Sequence, residues 1–146
     1  EPPSHTFEAP EGTKAVKLEY RVTGHGGSPG TVGCIGPSEE FCKRKHVLYT
    51  NGEVLDEFEA WRDNCQDLCT ETQTLNGMTY CLENPCGALQ SVKAPRANWC
   101  PGSVTPPEEW YPPTWSTPGT HTFSYDIKNH AGGTWRVSAT AFAYGQ

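Results

Sequence analysis

Seven cysteines, Cys34, Cys42, Cys65, Cys69, Cys81, Cys86 and Cys100, are the residues best placed to do chemistry in this 146-residue chain, and all lie between positions 34 and 100. Thiols grouped in this way serve as disulfides in an oxidising compartment or as thiolate ligands in a reducing one. Cys65-x3-Cys69 and Cys81-x4-Cys86 approach the spacing of zinc knuckles, but such a site would leave the other three without a task. The pattern therefore predicts disulfides, with no metal and no cofactor. Seven is odd, so three bridges leave one thiol, which is either free or links two chains as a disulfide-bonded dimer. Spacing does not decide which cysteines pair.

Other catalytic constellations are sparse. The sequence has no Gly-x-Ser-x-Gly elbow, His-Glu-x-x-His helix, phosphate loop or dinucleotide fingerprint. Its five histidines, His5, His25, His46, His121 and His130, occur singly. A small secreted hydrolase of the ribonuclease type could be assembled from His46, His121, Glu40 and Arg136 as base, acid and phosphate clamp. A glycosidase would need two facing carboxylates, for which Glu108, Glu109 and Asp126 are the candidates. No residue is assigned a catalytic role on this basis. The net charge of −6 argues against nucleic acid and anionic membrane as partners, because both require a basic face to displace counterions. The one basic cluster, Lys43 to His46, is expected to be a solvated strand end beside Glu39 and Glu40. No run of about 18 apolar residues is available for membrane insertion. The N-terminal EPPSHTFEAPEGTK lacks the basic and apolar regions of a signal peptide, so a secreted form is expected to be mature.

Binding chemistry is suggested by residues 101–119, where six prolines in nineteen residues oppose regular hydrogen bonding yet Trp110, Tyr111 and Trp115 are retained. These rings either fold back as a lid over the sheet or form a contact surface for a protein or a glycan. A second irregular stretch, GHGGSPGTVG at 24–33, is the other candidate loop surface.

Positioning these residues requires a mostly antiparallel sheet. Val16, Leu18, Tyr20 and Val22 alternate with polar residues over 14–23, the signature of a half-buried strand. Asn51-Gly52 and Asn76-Gly77 each lie between apolar runs and predict tight hairpins. Thr120 to Lys128 and Thr134 to Tyr144, on either side of NHAGG, predict a terminal hairpin with Phe123, Tyr125 and Ile127 opposite Trp135, Val137 and Ala139. Between these strands, Val54, Leu55, Phe58, Trp61, Cys65, Leu68 and Cys69 recur at steps of three and four, and Asp56 and Glu59 have capping-box spacing. A helix over 56–70 is expected, with Cys65 and Cys69 on one face, unable to bond each other and stapling two different segments. An apolar fraction of only 35%, with 13 prolines and 15 glycines, makes such staples useful. The expected architecture is one α+β domain over 1–146, a predominantly antiparallel β-sheet with a disulfide-stapled helix.

A cysteine-rich, acidic, β-dominated chain of this size without a catalytic signature resembles the small secreted cysteine-rich proteins of plant-associated fungi. Trp135-Arg136-Val137 resembles the Trp-Arg-apolar motif of one family of fungal avirulence effectors, although Ser138 stands where that family usually has a basic residue. The resemblance implies a disulfide-linked sheet with helices and a virulence role exerted extracellularly by binding a host molecule. The function expected is thus a secreted, non-enzymatic interaction protein. The alternatives are a glycan-binding module using Trp110, Tyr111 and Trp115, and a small secreted hydrolase or ribonuclease.

Overall fold

Alternation of small and aromatic apolar residues with charged ones sets the first layer of the fold. In a computed structural model that describes residues 2–27, 32–130 and 132–145, the chain begins with β1 (Ser4–Ala9) and the long strand β2 (Thr13–His25). Val16, Leu18, Tyr20 and Val22 project inward from β2 and are each 1% exposed or less. A 3-10 turn, Glu39–Phe41, leads into β3 (Arg44–Thr50), which folds back on β4 (Glu53–Ala60). Asn51 and Gly52 make that turn with φ of 50° and 81°, the left-handed pair that matches strand twist in a two-residue hairpin. Between β5 (Glu71–Gln73) and β6 (Thr79–Cys81) the turn is longer: Gly77 N donates to Thr74 O at 2.9 Å and Gly77 alone is left-handed, at φ 80°, the pattern of a three-residue hairpin loop. A five-residue helix, α1 (Leu89–Lys93), and the short strand β7 (Glu108–Trp110) precede β8 (Gly119–Ile127) and β9 (Thr134–Gly145).

Two antiparallel sheets result, one ordered β1-β8-β3-β4 and the other β7-β2-β9, with β5 and β6 as a separate ribbon. The inner faces close on Val16, Leu18, Tyr20 and Val22 from one sheet and Leu48, Ala60 and Phe123 from the other. Tyr20 sits at the centre, its ring centroid about 6 Å from those of His46, Phe58, Phe123 and Tyr125.

The β-rich, antiparallel character is as expected, but the helix at 56–70 is not present. Residues 53–60 are β4, and residues 65–68 form turns. The cause is a bulge. Leu48 pairs with Asp56 and Tyr49 with Val54, so Leu55 is an extra residue opposite no partner. The bulge resets the alternation, so that Leu55 and Phe58, three apart, both pack against the core. A three-residue step produced by a bulge reads like one turn of helix.

The terminal hairpin is also replaced. β8 pairs with β1 and β3, whereas β9 pairs with β2 from Thr13↔Gly145 to His25↔Thr134. Phe123 and Val137 therefore meet across the core as facing layers rather than side by side. Alternation identifies the inner face of a strand and carries no information on whether its neighbour lies beside or opposite. Ala131, inside the expected NHAGG turn, and residues 28–31, inside the Gly-rich stretch, lie outside the described residues.

The basic cluster divides by the same alternation. Lys43 and Lys45 face solvent, while Arg44 is 1% exposed and His46 is fully buried. Arg44 tolerates this because Glu39 is buried with it.

Candidate functional site

Three disulfides shape the surface around the site: Cys34–Cys42, Cys65–Cys100 and Cys69–Cys81. Cys65 and Cys69 each staple a different segment, from a turn rather than a helix. Cys86 is free and exposed.

The end of the sandwich where β2 finishes and β3 and β9 begin carries two adjacent carboxylates with opposite surroundings. Glu39 is fully buried. Arg44 grips it with two prongs, Nε to Oε1 at 2.6 Å and a terminal nitrogen to Oε2 at 3.1 Å, and Trp135 Nε1 donates to Oε1 at 2.9 Å. Burial alone would raise the Glu39 pKa, but the Arg44 and Trp135 hydrogen bonds and the Arg44 charge outweigh it and hold the carboxyl below its usual value. All its bonding capacity faces inward, so Glu39 is a structural anion.

Glu40 is different. Its side chain is 27% exposed, and Oε2 accepts an ion pair from Arg96 at 3.2 Å, while Arg96 itself is only 4% exposed. The Arg96 guanidinium lies over the rings of Phe41, at 4.7 Å, and Trp99, at 4.9 Å, and donates to the Ser91 hydroxyl at 2.8 Å and the Ser91 carbonyl. Burial lowers the Arg96 pKa and Glu40 partly restores it. Among the described residues Arg96 Nε has no partner.

Local folding explains why these groups meet. The amide of Ala97 donates to Glu40 O at 2.7 Å and the amide of Gly24 to Ala97 O at 3.0 Å, so the irregular segment 96–99 bridges the 3-10 turn and β2. Asn98 turns with φ 66° and its amide nitrogen donates to Val22 O at 2.9 Å. Trp99 Nε1 donates to Gly24 O at 2.9 Å, which lays the indole beside His25 with ring centroids 5.0 Å apart. The Cys65–Cys100 bridge anchors this segment next to Trp99. Burial lowers the His25 pKa, with the Arg136 charge acting in the same direction, so the imidazole is neutral at pH 7 while Nε2 shares a 2.7 Å hydrogen bond with the Thr23 hydroxyl. The assembly is a fixed, half-exposed carboxylate beside an indole and a neutral imidazole. It can accept hydrogen bonds from a ligand and offer ring faces to an apolar or sugar surface.

Elsewhere, the residues singled out from sequence are dispersed. Trp115 is 1% exposed in the core, Trp110 donates from Nε1 to Asp56 at 2.9 Å while packing on Phe58, and Tyr111 is 62% exposed beside Tyr144. The three rings do not share one face. His46 pairs with Ile127 across β3 and β8, whereas His121 lies six residues along β8 from Ile127, roughly 20 Å away at strand rise. His121 is itself buried, held by Asn51 Nδ2 at 3.0 Å and Thr117 O at 2.7 Å. Glu109 belongs to β7 in one sheet and Asp126 to β8 in the other, where Asp126 pairs with Lys128. Among the described residues no group of three potential metal ligands converges, and no helix is long and apolar enough to cross a membrane. Glu40 is thus the one hydrolase candidate in the site. Arg96, Trp99 and His25 were not legible as its partners, because nothing in Arg96-Ala97-Asn98-Trp99-Cys100 shows that it crosses β2.

Residues 2–141 match a family model described as peptide-N-glycosidase F, C terminal. The chain belongs to that family. The fold agrees: PNGF-II resembles the chain with a TM-score of 0.67 at 22% identity, over 99% of this chain and 25% of its own. Recombinant peptide:N-glycanase F aligns with a TM-score of 0.69 at 16% identity, over 97% of this chain and 43% of its own. PNGase F from Flavobacterium meningosepticum, described as a glycosylasparaginase, aligns with a TM-score of 0.67 at 17% identity over the same shares, 97% and 43%. The chain spans between a quarter and less than half of these proteins. No curated protein sequence matches it. Membership of the peptide-N-glycosidase F C-terminal family overturns the expectation of a non-enzymatic effector and favours the glycan-directed alternatives.

Proposed function

We propose that this domain is the glycan-facing part of a peptide-N-glycosidase-type amidase and binds N-linked glycopeptides at Glu40, Arg96, Trp99 and His25. The observation that carries this is the Glu40–Arg96 pair, a half-exposed carboxylate held at 3.2 Å by a guanidinium whose own position is fixed between two aromatic rings. Solved relatives are described as a glycosylasparaginase and as a peptide-N(4)-(N-acetyl-β-D-glucosaminyl) asparagine amidase. Their bond is the amide joining asparagine to the first sugar, and its hydrolysis requires an oriented acceptor for the protons of water or the substrate amide. Glu40 is that acceptor. Arg96 acts through it, keeping Oε2 in place and leaving Oε1 for the ligand. Trp99 and His25 supply ring faces for the apolar side of a pyranose. Because the relatives are longer, the remaining groups for turnover are assigned to sequence beyond the matched domain. Disulfide content favours an extracellular setting.

Titration of the chain with a short peptide bearing chitobiosyl asparagine tests this reading. Expected are saturable NMR shifts at His25, Glu40 and Trp99, lost in Glu40→Gln at a temperature where its dispersed spectrum shows the variant still folded. Undiminished binding by Glu40→Gln removes the proposal.

A further inference from the structure

Arg136, the middle residue of the Trp135-Arg136-Val137 motif, touches no group of the site above and acts on it only through its charge on the already burial-lowered His25. It stands on the outer face of the β7-β2-β9 sheet, opposite Thr23, while Arg21 stands opposite Ser138. The two arginines are therefore diagonal neighbours on one face, about 7–8 Å apart at the backbone. Together with Thr23, Val104, Thr105 and Ser138 they line a recess of about 290 Å³.

Two like charges at this spacing repel, and in a chain of net charge −6 a carboxylate would be the ordinary neighbour. None is supplied. Among the described residues neither Arg21 nor Arg136 takes part in an ion pair. Glu19, two residues from Arg21 on the same face, is engaged by Lys17 at 2.8 Å, and Glu109 lies 3.8 Å from the same ammonium. Arg21 spends Nε on Thr105 O at 2.7 Å, and Arg62 donates to Val104 O at 3.3 Å, so the loop that walls the recess is pinned by two guanidiniums. The terminal nitrogens of Arg21 and the whole Arg136 head make no hydrogen bond among the described residues. The wall beside the charges includes the exposed Val104 side chain, whereas Val22, whose side chain points into the core, borders the recess without lending its aliphatic group.

We infer that this recess is an anion site for a carboxylate borne on an aliphatic stem, clamped between Arg21 and Arg136 with the Thr23 and Ser138 hydroxyls as further donors. A fork of planar guanidiniums suits a carboxylate, and the Val104 side chain in the wall suits the stem that carries it. Thr23 also holds His25, so the recess adjoins the Glu40 site along β2. Its assignment to an acidic group of the substrate, either an Asp or Glu side chain near the glycosylated asparagine or a sugar acid of the glycan, rests on the glycopeptide reading above.

The test has an arm independent of that reading. Glutarate added to the intact chain at low salt is expected to give saturable NMR shifts at Arg21, Thr23, Thr105, Arg136 and Ser138, absent with neutral glutaramide and abolished by Arg136→Gln. Non-saturating shifts, or equal shifts at Lys45 and Lys128, overturn the site whatever the glycopeptides do. In the second arm, a chitobiosyl peptide with an adjacent Asp, and a neutral peptide carrying a sugar-acid-terminated glycan, are compared with their neutral counterparts. The acidic form that uses the recess is expected to bind about tenfold tighter, with Arg136→Gln restoring parity and leaving the neutral affinity unchanged. Equal affinity of both acidic forms with their neutral counterparts overturns the substrate assignment. Glutarate binding without binding of any glycopeptide supports the anion site and counts against the glycopeptide reading alone.

Discussion

Trp135 Nε1 donates to Glu39 Oε1 at 2.9 Å across 96 positions of sequence, on the same oxygen that accepts Arg44 Nε at 2.6 Å. One carboxylate thus ties the start of β9 to the start of β3, joining the two sheets at the end that bears the candidate site. Breaking a buried ion pair by removing one partner leaves the other charge unpaired in the interior. Glu39→Gln is therefore expected to lose about 3–5 kcal/mol of unfolding free energy, measured by urea denaturation. Glu40→Gln, one residue on and partly exposed, is expected to cost less, about 1–3 kcal/mol, because the buried Arg96 loses its counter-charge but keeps the Ser91 hydrogen bonds and its two rings.

His46 makes stability depend on acid. The imidazole is buried among Tyr20, Phe58 and Trp135, with Nδ1 sharing a 2.9 Å hydrogen bond with the Tyr20 hydroxyl and Nε2 without a partner among the described residues. Burial lowers its pKa from 6.5 to about 4. Between those values the unfolded chain binds the proton and the folded chain does not, so stability is full above about pH 6.5 and falls as pH drops toward about 4. The loss attributable to His46 is about 3 kcal/mol, read from denaturation midpoints across that window. The burial-lowered His25 pKa acts in the same direction. The slope should flatten in His46→Leu, even though that variant is less stable at neutral pH.

What was legible in the sequence was local. The inward set Val16, Leu18, Tyr20 and Val22 and the turns at Asn51-Gly52 and Asn76-Gly77 depend on strand alternation and left-handed backbone, both written in adjacent residues. The Leu55 bulge defeated the same logic because an inserted residue changes the period without changing composition. The pairing of β9 with β2 and the approach of Arg96 to Glu40 depend on contacts between distant segments, and no spacing records them. Glu39 and Glu40 look alike as letters; only Arg44 on one side and solvent on the other distinguishes them.

Disulfide losses should scale with the loops they close. Cys65–Cys100 spans 35 positions and Cys69–Cys81 spans 12. Chain-entropy estimates give about 4 kcal/mol for the first and about 3 kcal/mol for the second, testable with Cys65→Ser and Cys69→Ser. Peptide mapping without reduction should recover both bridges and Cys34–Cys42, and thiol titration should find Cys86 alone. A Cys65–Cys69 peptide would refute the connectivity.

The aromatics of the proline-rich segment should separate by position. Trp115, at 1% exposure and packed edge-on to Phe7 at 4.9 Å, is expected to cost about 3–5 kcal/mol on truncation to Ala. Tyr111, 62% exposed, should change stability by no more than about 0.5 kcal/mol. Thermal melts of the two single variants distinguish an anchor from a surface ring.

The union of β2 with β9 imposes an order of assembly. Residues 13–25 leave the ribosome well before their in-register neighbours at 134–145, which are translated more than a hundred residues later. At about 5–20 residues per second, the nascent chain carries an apolar strand with an unmatched edge for several seconds or more. Until β9 arrives, the Val16-to-Val22 face is a target for chaperones and for mispairing with another emerging copy, so β9 acts as the latch that ends this vulnerable interval.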